Sequence, residues 1–242
     1  MNKKAVVSMS GGLDSTSLAL HLLDEGYEVK AYAFNYGQKH SIELKKVQKT
    51  VKYLQKHNLP ITLQIIDLRD CFSESASVLN KSNNMEVPEG DYKEENMKST
   101  VVENRNVIFS SIIYGKALAW ANKTGDNVVI SLGLHSGDHF IYLDCRPESQ
   151  EMAKELFRIS NWGSEKVDYI APFINIDKSE VLKTGVQACS HLGINWKTIY
   201  KNTISCYTPN EKGESCGKCG TCTERLEAFA KCGIKDPIKY QN

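Results

Sequence analysis

Ser10-Gly11-Gly12-Leu13-Asp14-Ser15-Thr16 follows Lys4-Ala5-Val6-Val7-Ser8-Met9, a short run that reads as a buried strand. Behind it, from Asp14 to Asp24, Leu18, Leu20, Leu22 and Leu23 fit a mostly buried helix that Gly26 stops. Glycine lets the backbone turn tightly and lets a ligand approach its amides with no Cβ in the way. The helix start adds free N–H groups and a partial positive charge. With the hydroxyls of Ser10, Ser15 and Thr16, residues Met9 to Thr16 form a phosphate cradle. The Gly-Lys-Ser/Thr ending of a Walker A loop is absent, as are the three spaced glycines of a dinucleotide fingerprint.

The same alternation continues outward. A second strand is expected over Glu28–Phe34 and a helix from an N-cap at Ser41 to about His57, with Leu44, Val47, Val51 and Leu54 on its apolar face. A third strand follows over Thr62–Asp67. Residues 70–100 are polar and without period, and read as an inserted loop, a lid over the site. A long helix from Asn104 to Lys123, a fourth strand over Asn127–Leu132, a loop from Gly133 to Arg146 and a helix from Pro147 to Ile159 come next. A strand near Tyr169 and a helix from Lys178 to Leu192 complete the body. Strand and helix alternating over some 190 residues predict an α/β fold, a doubly wound parallel sheet. Residues 1–200 read as one domain and 201–242 as a C-terminal segment too poor in apolar periodicity to bury a core unaided.

Over 242 residues, 30 Lys and Arg oppose 29 Asp and Glu, a net charge of +1 that argues against nucleic acid or anionic membrane held by bulk electrostatics. No apolar run approaches the ~20 residues of a membrane span. The start Met1-Asn2-Lys3-Lys4 leads straight into a strand, so a cytoplasmic protein is expected.

Of eight cysteines, Cys71, Cys145 and Cys189 are scattered, and five crowd residues 206–232. Cys206, Cys216, Cys219 and Cys222 are spaced C-x9-C-x2-C-x2-C with Gly217 and Gly220 between the last three. Four thiolates on a tight turn suit tetrahedral zinc in a closed, structural site. An iron–sulfur cluster competes on spacing alone. Cys232, within an apparent helix, is expected to be a buried free thiol.

The string Ser-Gly-Gly-Leu-Asp-Ser resembles the pyrophosphate loop of the N-type ATP pyrophosphatases, in which the loop grips the β- and γ-phosphates while a substrate oxygen attacks the α-phosphorus. Together with the four-cysteine tail, the chain resembles the QueC family, the 7-cyano-7-deazaguanine synthases. Further matches are Asn35-Tyr36-Gly37-Gln38-Lys39-His40, Asn104-Arg105-Asn106, Asp144-Cys145-Arg146-Pro147-Glu148, Asp177-Lys178-Ser179-Glu180 and Ser205-Cys206-Tyr207. The resemblance implies an adenine nucleotide alpha hydrolase-like sheet of HUP type. It also implies an adenylating enzyme that uses ATP and ammonia to convert 7-carboxy-7-deazaguanine through an amide to the nitrile.

If strands one and four are neighbours, the loops 10–16 and 133–146 face each other across the crevice where the winding reverses. Asp138 and Asp144 then suit the amino and N–H edges of a purine-like ring, and Arg105 and Arg146 its carboxylate or a phosphate. Lys178 is placed to stabilise the α-phosphate, with Arg105 and Asp14 as its catalytic companions. Magnesium is expected with the nucleotide, near Asp14. His40, His135 and His139 flank the crevice as surface or packing histidines.

Two segments depart from the family. Val102-Glu103-Asn104-Arg105-Asn106 stands where Val-Pro-Gly-Arg-Asn is usual, and Phe140-Ile141-Tyr142-Leu143-Asp144-Cys145-Arg146 where Ser-Gly-Tyr-Pro-Asp-Cys-Arg is usual. Loss of Pro and Gly is expected to change the backbone path beside the acceptor pocket. This leaves open a paralogue of the kind found in antiviral operons, joining the activated carboxylate to another amine such as a protein N-terminus. A tRNA-modifying enzyme, with Cys145 as its only candidate catalytic cysteine, and a nucleotide-sensing module without turnover stand as alternatives. A homodimer is compatible with all of them.

Overall fold

The computed structural model describes residues 3–39, 42–89 and 95–241. Five strands, β1 (Lys4–Ser8), β2 (Glu28–Asn35), β3 (Ile61–Asp67), β4 (Val128–Ser131) and β5 (Val167–Tyr169), form one sheet in the order β3-β2-β1-β4-β5. Every pairing is parallel, so the chain must cross over between strands, and it does so through helices on both faces. The predicted neighbours β1 and β4 pair with Val6 opposite Ile130.

Side chains of a strand alternate between faces, and the sheet sorts its residues accordingly. Ala5 and Val7 of β1 and Val29, Ala31 and Ala33 of β2 join one core, packed under α1 (Leu13–Asp24), α2 (Ile42–Lys56) and α5 (Lys178–His191). Val6, Tyr32, Phe34 and Ile130 point the other way, into a second core with α3 (Arg105–Thr124) and Phe157 of α4 (Pro147–Ser160). The short α6 (Trp196–Lys201) lies on the first face and supplies Ile199 and Tyr200 to its core.

The C-terminal segment leans on that first core. Ala228 and Phe229 of α7 (Gly220–Lys231) are buried in it. Arg225, 1% exposed, holds Asp236 through two hydrogen bonds of 2.7 and 3.0 Å and donates to Thr203 Oγ1 at 2.8 Å. A buried arginine needs such partners, because an uncompensated charge in the interior is costly.

The inserted segment corrects one expectation. Residues 70–100 contain two 3₁₀ turns, Asp70–Phe72 and Glu95–Thr100, and bury Phe72, Val78, Leu79 and Met97 in the second core. Asn80 donates to Phe72 O at 2.6 Å and accepts from the Ser82 amide at 3.0 Å. Isolated apolar residues joined by side-chain-to-backbone bonds leave no period to read. None of the described residues of this segment lines the cavity below; they pack as a buttress on the second core. The expected N-cap Ser41, like His40, lies outside the described residues.

Gly133, just after β4, shows how closely sheet and first helix meet. A Cβ there would lie 2.8 Å from Ser15 N and 2.9 Å from Ser15 Cα, both backbone atoms. Gly133→Ala is therefore expected to destabilise the fold by about 1–3 kcal/mol. Urea denaturation should show it as a lowered midpoint.

Candidate active site

The cavity opens where the winding reverses, between the carboxyl ends of β1 and β4. On one wall, Ser10, Gly12, Asp14 and Ser15 face the space. The loop is braced internally. Ser10 N–H donates to Ser15 Oγ at 3.2 Å, the two serine hydroxyls lie 3.1 Å apart, and Gly12 N–H donates to Ser10 Oγ at 3.2 Å. Gly11 is at φ +94°, and a Cβ on it would stand 2.8 Å from Glu43 O, so no other residue fits that turn. Met9, Leu13 and Thr16, predicted with the loop, are fully buried behind it and serve as its footing.

The opposite wall comes from the loop after β4, with Gly133, Leu134, Asp138 and Tyr142, and the floor from Phe34, Tyr36 and Phe109. Arg105 enters at the start of α3, its guanidinium 5.7 Å from the centre of the Tyr36 ring and its Nη1 3.5 Å from the Tyr36 hydroxyl. Burial works against its charge, but the oxygens of Tyr36, Tyr142, Tyr207 and Asp144 outweigh that and raise its pKa. Burial pushes the Tyr36 phenol up to about 12, so it stays a neutral donor. Tyr142 Oη lies 2.9 Å from both Thr100 Oγ1 and Tyr207 Oη, which ties the loop after β4 to the insertion and to the tail.

Four charged groups meet around the first turn of α1. Lys178 Nζ donates to Glu224 Oε2 at 2.5 Å and lies 3.4 Å from Asp14 Oδ2, with its side chain only 5% exposed. Burial opposes its charge, yet Asp14, Glu224 and Asp138 hold its pKa above the ordinary lysine range. Asp177 caps α5 and so aims Lys178, accepting from the Ser179 and Glu180 amides at 2.8 and 3.0 Å. The Ser179 hydroxyl, first among its partners, keeps the Asp177 carboxyl at about 2. His135, fully buried, accepts from Gly137 N–H on Nδ1 at 3.1 Å, which leaves the proton on Nε2. That Nε2 is 3.8 Å from Asp14 Oδ2 and 3.7 Å from Asp138 Oδ2, and neither it nor Asp14 Oδ1 has a hydrogen-bond partner among the described residues.

Of the predicted acceptor residues, Arg105 and Asp138 line the cavity, whereas Asp144 and Arg146 are not among its lining residues. Asp144 accepts from the Asn106 amide N–H and from Asn106 Nδ2, both at 3.2 Å, and so holds the first turn of α3. Arg146 is exposed at the N-cap of α4. Cys145 does line the cavity, but burial first and the carboxylates of Asp138 and Asp144 next push its thiol well above the usual range. Of the flanking histidines, the side chain of His139 lies outside the described residues.

Glu224 and the aromatic wall were not legible beforehand. Tyr36, Tyr142 and Tyr207 sit in strings that could be matched but not assigned a role, and nothing around Glu224 in the chain signals that α7 folds back onto Lys178. The departures have structural counterparts. Asn104 adopts φ +54°, the left-handed geometry that glycine takes freely and asparagine tolerates better than most, so the asparagine holds a backbone conformation that glycine would take readily. Glu103 accepts from Ser75 Oγ at 2.5 Å and from Ala76 N at 3.1 Å, pinning the insertion. In the second altered segment Ile141 and Tyr142 turn inward, while Phe140 and Leu143 are 59% and 64% exposed.

The Sγ atoms of Cys206, Cys216, Cys219 and Cys222 lie within 4.8 Å of one another. Tetrahedral ligands at ~2.3 Å from a metal are about 3.8 Å apart, so these sulfurs can close on one ion. Cys206 Sγ accepts from the Thr208 and Cys216 amides at 3.3 and 3.2 Å, and Cys216 Sγ from Lys218 and Cys219, both at 3.4 Å, bonds that favour thiolate. Cys232 stands apart, only partly buried at the C-cap of α7 where full burial was expected, its thiol 3.4 Å from Ser179 O.

A family model described as "Queuosine biosynthesis protein QueC" matches residues 4–233. The 7-cyano-7-deazaguanine synthase of Caldicellulosiruptor saccharolyticus is 40% identical over 98% of this chain and 96% of its own. That of a Marinomonas species is 41% identical over the full length of both. Among solved structures, a 4-thiouridine synthetase–RNA complex with bound ATP aligns with 93% of this chain and 50% of its own at 16% identity and a TM-score of 0.49, too distant to bear on function.

Proposed function

The chain belongs to the QueC family, and from that membership we propose that it is an ATP-dependent, adenylating 7-cyano-7-deazaguanine synthase. The observation that carries this reading is the braced loop Ser10–Ser15 facing Arg105 across one cavity, a phosphate cradle opposite a cation suited to a carboxylate.

In this reading Ser10, Gly11, Gly12 and Ser15 hold the β- and γ-phosphates on the N-terminus of α1. Arg105 pairs with the carboxylate of 7-carboxy-7-deazaguanine, Asp138 accepts from the ring, and Phe34, Tyr36 and Phe109 flank it. A carboxylate oxygen attacks the α-phosphorus and pyrophosphate leaves. Lys178 stands where charge builds on the α-phosphate. Ammonia then displaces AMP from the acyl carbon, and a second adenylation, on the amide oxygen, lets AMP depart as the nitrile forms. Asp144 contributes indirectly by holding Asn106 beside Arg105, and Arg146 stands at the outer end of the acceptor loop.

Magnesium, when bound with ATP, would neutralise phosphate charge, and the unpartnered Asp14 Oδ1 suits it. Zinc in the four-cysteine site would brace the tail, with residues 1–200 as the activating domain and 201–242 as the segment that leans on it. Among the described residues no helix is long and apolar enough to cross a membrane. A reducing compartment such as the cytoplasm would keep the clustered thiols available to a metal. The neutral thiol of Cys145 weighs against a tRNA thiolase. A second reading, transfer to a protein amine, is favoured by Phe140 and Leu143, exposed on the acceptor loop.

Mass spectrometry of products formed from ATP, 7-carboxy-7-deazaguanine and ammonium tests the proposal. The nitrile, with AMP and pyrophosphate, is expected. An amide end product or a mass added to a protein favours the second reading, and ADP with orthophosphate alone overturns adenylation.

A further inference from the structure

Two of the buried side-chain atoms left without a hydrogen-bond partner among the described residues belong to residues on the cavity wall. One is Asp14 Oδ1, an acceptor. The other is Ser205 Oγ, which carries a proton to donate. A hydroxyl shut away from water without a partner is costly, so its partner must come from the cavity.

Ser205 stands beside the phosphate loop. A Cβ on Gly12 would lie 3.9 Å from Ser205 Oγ and 3.6 Å from Ile204 O. The backbone is held on both sides of this serine. Ile204 N–H donates to Gly11 O at 3.1 Å, and Cys206, fully buried, packs with Ile204, Cys219 and Cys222 in one small cluster. The hydroxyl is thus carried by a stretch tied to the loop itself. The loop also needs another donor. The amides of Ser10 and Gly12 already donate to Ser15 Oγ and Ser10 Oγ, both at 3.2 Å, so bracing the turn uses two of its N–H groups. Thr221 Oγ1, also on the wall, lies 3.2 Å from Cys219 Sγ and is already engaged.

We propose that Ser205 is a phosphate-binding residue that completes the cradle from the tail side, its hydroxyl donating to the pyrophosphate half of ATP. This role presupposes that the cavity takes ATP for adenylation. A hydroxyl donating to an ionised oxygen makes a charge-assisted bond, the stronger kind. The four-cysteine segment then has a task beyond bracing the tail, since the residue before Cys206 delivers a phosphate donor to a loop near the other end of the chain. The released pyrophosphate keeps the same oxygens, so the bond is made alike to substrate and product, and it contributes to affinity more than to rate.

Isothermal titration calorimetry of the full chain with magnesium tests this, using pyrophosphate, α,β-methylene-ATP and AMP as probes. Ser205→Ala should weaken the first two about 10-fold or more and leave AMP within twofold, with Tm unchanged. In turnover the ATP KM should rise while kcat stays within threefold. A variant that binds pyrophosphate as tightly as wild type, or that loses AMP affinity and Tm to the same degree, overturns the role of Ser205 and leaves adenylation standing. A wild-type chain that binds neither pyrophosphate nor the ATP analogue overturns both.

Discussion

Lys178→Ala is expected to lower kcat for pyrophosphate release by roughly 10²–10³-fold, the usual effect of removing one preorganised group that meets developing charge. Lys178 is buried between Asp14 and Glu224, with Asp138 adding to the field that keeps it charged. Its removal leaves three carboxylates facing a triphosphate, so the ATP KM should rise as well. Glu224→Gln separates positioning from charge. The amide retains the shape but holds Lys178 less firmly, which predicts a kcat loss of about 10-fold with ATP affinity little changed. Glu224→Asp should recover part of the rate. Pre-steady-state release of labelled pyrophosphate measures all three variants, and an alanine variant within threefold of wild type would remove Lys178 from the chemistry.

Stripping the metal from the four-cysteine site should lower Tm by on the order of 10 °C, because a structural ion contributes its binding free energy to folding. Cys219→Ser should do the same, and metal analysis should find one zinc per wild-type chain. The reason lies in connectivity. Cys219 is the N-cap of α7 and Cys222 is in its first turn, just ahead of Glu224 and Arg225. Fraying that turn frees Glu224 from Lys178 and Arg225 from Asp236 together. Limited proteolysis should then cut first between residues 206 and 222. Iron with visible charge-transfer absorption in place of zinc would instead identify a cluster, and a Tm indifferent to chelation would end the structural role.

The fold was readable because its periods are local. Ala5 and Val7 against Val6, or Val47, Val51 and Leu54 along α2, repeat at the spacing of the element they build, so strands, helices and their alternation follow from the chain. The phosphate loop was readable for a related reason. Gly11, Ser10 and Ser15 are neighbours in the chain and bond to one another. The insertion was misread because Phe72, Leu79 and Met97 are single apolar anchors without a period. Asp144 and Arg146 were grouped with the acceptor pocket by their place in the loop; the structure shows Asp144 holding the first turn of α3 and Arg146 exposed at the start of α4.

Amino-acid order alone determined the alternation of strand and helix, the loop at the end of β1 and the clustered cysteines, since each is a pattern carried by short stretches of chain. Only folding decided that Glu224 meets Lys178 across 46 positions, that His135 lies buried among carboxylates, and that one edge of α4 is left bare. Those outcomes depend on how α7, α5 and α1 stack on a common core. Packing of that kind is set by the summed shapes of distant side chains and leaves no mark in any short stretch of sequence.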